Sequence, residues 1–279
     1  MYIAAIALLS SCSQPEEKKP NDYKIASYNL RMDTPKDSLN SWEHRKDMVK
    51  NLLKYHDLDI IGTQEGFIHQ LNDIAELNHL TFVGAGRDDG GTEGEHSAIF
   101  YNTDKFEAVD QGDFWYSETP DQPGLGWDAV CCNRICSWVR LKDRSSSTEF
   151  FVFNSHFDHQ GVKAREESAK LLVSKIDEIA EGFPVVAMGD FNSTPETVQI
   201  ETIKETLNDA FEVSQEPPYG PVGTFNSFDW NAPLKHRIDY IFVSNPIDVM
   251  KYAVLVDALD MRFPSDHMPV VAHVRIGGE

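Results

Sequence analysis

Short apolar runs that each end in a polar cluster recur along the whole chain. Lys24-Ile25-Ala26-Ser27-Tyr28 stops at Asn29-Leu30-Arg31-Met32-Asp33, and Leu58-Asp59-Ile60-Ile61-Gly62 stops at Thr63-Gln64-Glu65. Pro184-Val185-Val186-Ala187 runs into Met188-Gly189-Asp190-Phe191-Asn192. Runs of this length, bounded by turn residues, predict buried strands. The same pattern predicts strands over Arg237–Val243, Tyr252–Val256 and Val270–Ile276, the last preceded by Ser265-Asp266-His267-Met268-Pro269. Helical spacing marks Trp42–Tyr55, with Met48, Val49, Leu52 and Leu53 on one face, and Val162–Ala180, with Ala169, Leu172, Ile176 and Ile179. Shorter helices are predicted over Phe67–Leu77 and Thr197–Thr206. Between them lie candidate strands at Thr81–Val83, Ser97–Tyr101, Phe106–Val109 and Phe114–Tyr116. Ile135–Leu141 and Glu149–Asn154 read as a hairpin turning at Ser145, its second strand ending in Ser155-His156-Phe157-Asp158-His159-Gln160-Gly161. Three long loops remain, Gly84–Gly94, Pro120–Cys132 and Pro217–Trp230, and long loops in a compact domain are often functional. The pattern holds no internal repeat.

The N-terminus breaks this pattern. Ile3–Leu9 is apolar but too short to span a bilayer. With Leu9-Ser10-Ser11-Cys12 it reads as a lipoprotein signal over residues 1–11, with Cys12 as the lipidated mature terminus, although no Lys or Arg precedes the apolar run. Residues 12–22 read as a flexible tether, which leaves 23–279 as one domain. The expected location is the bacterial cell envelope, anchored by lipid, with no stable protein partner evident. Cys131, Cys132 and Cys136 lack zinc spacing and cannot all pair within one chain, so they read as structural.

The formal net charge is −20. That weighs against passive binding of nucleic acid, where affinity comes from neutralising phosphates. It does not exclude cleavage of phosphoesters, because a site that holds a divalent metal needs carboxylates. The polar strand ends supply such groups: Asn29, Glu65, His156, Asp158, Asp190, Asn192, Asp239, Asp266 and His267. Phosphoryl transfer needs a cation, an oriented water, and donors to the non-bridging oxygens. Carboxylates, imidazoles and amides are the side chains that provide them.

Six of these clusters, in order, carry a resemblance: Ser27-Tyr28-Asn29, Gln64-Glu65, Ser155-His156-Phe157-Asp158, Gly189-Asp190-Phe191-Asn192, Arg237-Ile238-Asp239-Tyr240 and Ser265-Asp266-His267. Each is weak alone, but together they span nearly the whole mature chain. The sequence resembles the endonuclease/exonuclease/phosphatase (DNase I-like) superfamily and is similar to its exported Bacteroidetes members. The resemblance implies an α+β fold, a four-layer αββα sandwich with two mostly antiparallel sheets packed face to face. It implies Mg²⁺, with Mn²⁺ or Ca²⁺ as alternatives, bound by Glu65 with Asp266 at or near the metal. Asp190, held by Asn29, would orient or deprotonate water, and Asn192 would bind a phosphate oxygen. Asp239 would fix the tautomer of His267, and His156 would contact the phosphate or leaving group. Either Asp190 or the Asp239–His267 pair would be the base. Asp158 would sit behind His156, and Arg31, Arg134 and Arg165, beside the motif loops, could clamp a further anion.

The expected activity is divalent-metal-dependent hydrolysis of a phosphoester, mono- or diester. The substrate is a phosphorylated small molecule, a lipid head group or nucleic acid. Within the enzymes the choice lies between an extracellular nuclease and a sugar, inositol or lipid phosphate phosphatase. Two other classes compete. A non-catalytic binding lipoprotein on the same fold would have lost a ligand or a catalytic histidine, and none is lost. A two-carboxylate glycosidase would need no metal.

Overall fold

The computed structural model describes residues 21–277. The signal, Cys12 and most of the tether lie outside them. Among the described residues, twelve strands form two six-stranded sheets. In chain order the elements are β1 (Asp22–Asn29), α1 (Trp42–Tyr55), β2 (Ile60–Gln64), α2 (Ile68–Ala75), β3 (Leu80–Val83), β4 (Ile99–Asn102), β5 (Phe106–Trp115) and β6 (Ile135–Asp143). They continue with β7 (Glu149–His156), α3 (Val162–Ala180), β8 (Val185–Asp190), α4 (Val198–Lys204), β9 (Asn208–Asp209), α5 (Ala210–Val213), β10 (Asp239–Val243), β11 (Asp248–Val254) and β12 (Val270–Arg275). One sheet has the order β11-β12-β1-β2-β4-β3, the other β5-β6-β7-β8-β10-β9. Each contains one parallel pair, β1–β2 and β7–β8, joined by a helix (α1 and α3), and the other pairings between these strands are antiparallel. This is the α+β sandwich that the sequence led us to expect.

Alternation along single strands builds the layers. In β8, Val186 and Met188 enter the core between the sheets, while Val185 and Ala187 pack under α3. In β1, Ile25 faces the inter-sheet core, while Ala26 and Tyr28 face α1 with Val49, Leu52 and Leu53. Both faces of each sheet are thus covered, which is why the strands read as continuous apolar runs. Each fully buried Val, Leu or Ile contributes about 1.5–3 kcal/mol.

Two features place the sheets beneath the site. The Asn154 amide on β7 crosses between them: its Nδ2 donates to the carbonyls of Thr63 (2.8 Å) and Ala98 (2.9 Å), and its Oδ1 accepts from Gln64 Nε2 at 2.7 Å. Gly189 brings β8 close to β7. At φ 152° its position has no room for a side chain, because a Cβ would lie 2.1 Å from the Ser155 carbonyl oxygen.

The structure departs from the sequence reading in four places. Phe106–Val109 and Phe114–Tyr116 belong to one strand, β5, with an irregularity between Ala108 and Asp110. As an edge strand its middle faces solvent, so it lacks the apolar signal that marks a buried strand. β11 begins at Asp248 rather than Tyr252. The short β9 and α5 carry too few residues to show a period. β1 begins at Asp22, which pairs with Arg275 at 2.6 Å, so the domain takes in the last residue of the tether stretch.

Candidate active site

The topology explains why polar groups far apart in sequence meet. The carboxyl ends of the parallel strands β1, β2, β7 and β8 lie at one edge of the sandwich. β10 runs antiparallel to β8, so Asp239 at its start stands opposite Asp190. β12 runs antiparallel to β1, which brings Asp266 and His267, just before it, beside Asn29. A cleft of about 470 Å³ opens there, lined among others by Arg31, Glu65, His156, Asp190, Asn192, Asp266 and His267. The chain turns off the strands in unusual conformations: Arg31 (φ 58°), Glu65 (φ 63°) and Asn192 (φ 48°) are all left-handed. Each such non-glycine residue costs about 1 kcal/mol or more, and such strain clusters at functional sites.

Asn29, fully buried, is the hub. Its Nδ2 donates to Glu65 Oε1 at 3.1 Å and to Asp190 Oδ2 at 3.0 Å. Glu65 Oε2 also accepts from the Met32 amide at 3.1 Å. Burial opposes the Glu65 charge, but His267, these two donors and Arg31 outweigh it and hold the carboxyl below its ordinary value. Asp190 is pushed the other way, up to about 7, by burial and then by the Asp239 charge. Asp266 is also raised, by burial first and by Glu65. His267 Nδ1 lies 2.9 Å from Asp239 Oδ2, and its Nε2 lies 3.9 Å from Asp190 Oδ2. Burial disfavours the imidazolium, but Asp239 overcomes this and holds His267 well above its ordinary value. His156 goes well below its own, through burial and then the Arg134 and Arg87 charges. One imidazole is thus kept charged and the other neutral within the same cleft.

The other sequence candidates divide. Asn192 lines the cleft, and its Nδ2 donates to the Phe157 carbonyl at 3.0 Å. Arg134 Nη1 lies 3.0 and 3.1 Å from the two nitrogens of His156, a position over the ring rather than along either lone pair. Its Nη2 lies 2.7 Å from His159 Nδ1. Asp158 accepts from the Gln160 and Gly161 amides, and its second oxygen lies 3.5 Å from Arg134 Nε, so it braces Arg134 and, through it, His156. Arg31 is tied to Asp37 through two hydrogen bonds, 2.8 and 3.0 Å. Arg165 donates to the Asp158 carbonyl and is not part of the cleft lining. Asp33, which ends the polar cluster after β1, accepts from the Trp42 amide at the start of α1 and meets His69, away from the cleft lining.

Sequence reasoning missed Arg87, Glu95, Phe225 and Phe228, which also line the cleft. Arg87 Nη1 donates to Glu95 Oε2 at 2.6 Å, and Glu95 Oε2 lies 3.8 Å from His156 Nδ1. Burial pushes the Glu95 carboxyl up to about 7 against the pull of Arg87. These residues come from loops without a period, and composition was their only signal: glycine- and acid-rich around Arg87 and Glu95, rich in proline, glycine and aromatics around Phe225 and Phe228. Cys132 lies at the cleft too, joined to Cys131 by a disulfide, while Cys136 is buried and free.

The donor set fits a divalent cation. The ligand atoms of Glu65, His156 and Asp190 lie within 4.8 Å of one another, as do those of Asp190, Asp239 and His267. Asp266 stands apart from both groups, across Arg31, whose nitrogens lie 3.8 Å from Asp266 and 3.9 Å from Glu65, too far for hydrogen bonds. Crowded carboxylates with weak cationic compensation are what a hard cation with oxygen ligands relieves.

Comparison with known proteins places the fold. A crystal structure of an endonuclease/exonuclease/phosphatase family protein from Bacteroides thetaiotaomicron superposes with a TM-score of 0.89 at 44% identity, covering 94% of this chain and 100% of that one. A mannosyl-6-phosphatase from the same organism is 45% identical, with a TM-score of 0.86 over 90% of this chain and 99% of its own. Among curated proteins, the CCR4-Not complex 3'-5'-exoribonuclease subunit Ccr4 of Mycosarcoma maydis is 21% identical over 93% of this chain, which spans 52% of that longer protein. A family model matches residues 26–267, and the chain belongs to the Endonuclease/Exonuclease/phosphatase family.

Proposed function

We propose that the protein is a divalent-metal-dependent phosphoester hydrolase acting on a phosphomonoester of a small molecule, a sugar phosphate first of all. The observation that carries this reading is the meeting of Glu65, Asp190, Asp239, Asp266 and both imidazoles at one cleft. Glu65, grouped with Asp190 and His156, would hold Mg²⁺, and Asp266 would join it only if the cation took over the weak contacts of 3.8 and 3.9 Å that Arg31 makes with the two carboxylates; when bound, the cation neutralises charge building on the phosphoryl oxygens. Asp190, fixed by Asn29 and the Asn192 amide, orients the attacking water and takes its proton. His267, held charged by Asp239, donates to a non-bridging oxygen. His156, kept neutral, meets the phosphate or the leaving group from the other wall. The 45% identity to a mannosyl-6-phosphatase and the acidic balance of the chain favour a compact ester over nucleic acid. The test is phosphate release from mannose 6-phosphate, an inositol phosphate, a nucleotide and single-stranded RNA, with Mg²⁺ and then with EDTA. Turnover of the small monoesters that EDTA abolishes supports the reading. Activity confined to RNA would replace it with a nuclease.

We also propose that the enzyme is exported and held at the cell envelope by lipid on Cys12. The support is the Leu9-Ser10-Ser11-Cys12 sequence. Palmitate labelling of the full chain in a bacterial host, lost in Cys12→Ala, is the expected result. Equal labelling of both would refute it.

A further inference from the structure

We infer that Arg87 and Glu95 form a subsite that reads adjacent hydroxyls on the alcohol half of the substrate, which makes the leaving group a polyol ring. This rests on the phosphomonoesterase reading above and extends it to specificity. The pair stands on the wall beyond His156, away from Asp266 and Arg31, where the leaving group of an ester seated at His267 and Asn192 would project. Arg87 uses Nη1 on Glu95, and its Nε, 4.0 Å from Asp88 Oδ1, makes no hydrogen bond. A guanidinium beside a carboxyl sets donors next to acceptors, and each hydroxyl of a diol is both. A second phosphate fits this wall poorly, because Glu95 faces it and the two guanidiniums of Arg87 and Arg134 are already set against Glu95 and Asp158. The platform is rigid. The Arg87 carbonyl accepts from Trp115 Nε1 at 2.7 Å and from Asn133 at 3.3 Å, and the Arg87 amide donates to the Glu95 carbonyl at 3.0 Å. From the opposite wall, Phe225, 40% exposed and packed on the His267 ring, offers an apolar surface for the C–H face of a ring.

The experiment compares kcat/KM for mannose 6-phosphate with that for ethyl phosphate, which has the same ester but no hydroxyls, in the wild type, Arg87→Lys and Glu95→Gln. A site built to bond hydroxyls discriminates strongly against their loss, so the wild type should favour the sugar ester by about 100-fold or more. In each variant that ratio should fall by about tenfold or more, mainly through KM. Free mannose should compete with ethyl phosphate in the wild type and lose that competition in Glu95→Gln. An unchanged ratio would overturn the inference. So would equal losses on both esters, which would mean that the pair acts through His156. If the wild type turned over neither ester, the underlying reading would fail and this inference with it.

Discussion

Asp190→Asn should stabilise the metal-free protein above neutral pH while destroying its activity. In the folded state the Asp190 carboxyl is pushed from an ordinary 3.8 up to about 7 by burial and by Asp239. A raised acid holds its proton longer in the fold than in the unfolded chain. Its contribution to stability is therefore present at low pH and lost as pH rises from about 4 to about 7. At about 1.4 kcal/mol per pH unit, the buried charge destabilises the protein by about 4 kcal/mol at pH 8. Asparagine removes that charge but brings an amide hydrogen-bonding mismatch. Oδ1 accepts from the Asn192 amide at 2.9 Å and Oδ2 from Asn29 Nδ2 at 3.0 Å, and one of these must now face an NH₂ group. That mismatch costs about 1–2 kcal/mol. His267 loses an anion 3.9 Å away but keeps Asp239 at 2.9 Å, a smaller loss. The net gain is about 2 kcal/mol, or about 4–8 °C in Tm for a domain of this size. At pH 5 the carboxyl is neutral in the fold but already ionised in the unfolded chain, so only about 1–2 kcal/mol of the penalty is present; this cancels the amide mismatch, and Tm should change by about 2 °C or less. The assay is calorimetry in EDTA at pH 5 and pH 8, with turnover in Mg²⁺ measured beside it. Equal destabilisation at both pH values would refute the reasoning, since it would mean that Asp190 carries no penalty in the fold.

Asp239→Asn should lower the His267 titration markedly, because burial is then opposed only by the more distant Asp190 and Asp266 charges, and should cut kcat by about 10³–10⁴-fold. Imidazole NMR against pH checks the first part, and an unmoved titration would sink it. The His267–Asp239 pair stabilises the fold fully below about pH 6.5 and loses this as pH rises through the higher folded value, so the variant's deficit in Tm should shrink at high pH. Asn154→Ala removes three buried hydrogen bonds between the sheets and should lower stability by about 3 kcal/mol, with Tm down by about 6–12 °C in a thermal melt. A fall below about 2 °C would mean that the crossing amide is not what joins the sheets there.

The sequence was most legible where burial imposes a period. α1 and α3 were placed at their observed ends because one face of each is covered along its whole length. Asn29, Glu65, His156, Asp190, Asp239 and His267 could be picked out because each stands at or next to the end of a buried strand, where a polar side chain is conspicuous. Arg87 and Glu95 stand in a loop whose shape is set by turn bonds, such as Asp89 Oδ1 accepting from Gly91 and Glu93. Nothing local says that such a loop folds back onto His156. β5 shows the same limit from the other side: an edge strand is held by its neighbour's backbone, which leaves its own side chains free to be polar. Asp266 was legible as a site residue, but its separation from Glu65 by Arg31 depends on three-dimensional packing.

Carboxylates from the end of β2 and the segment before β12, Glu65 and Asp266, should hold one divalent cation beside Asp190. Mn²⁺ binding followed by electron paramagnetic resonance tests this most directly, in the wild type, Glu65→Gln and Asp266→Asn. The wild type should show one site, at least about tenfold weaker in each variant while circular dichroism stays unchanged. Wild-type affinity in both variants would contradict this.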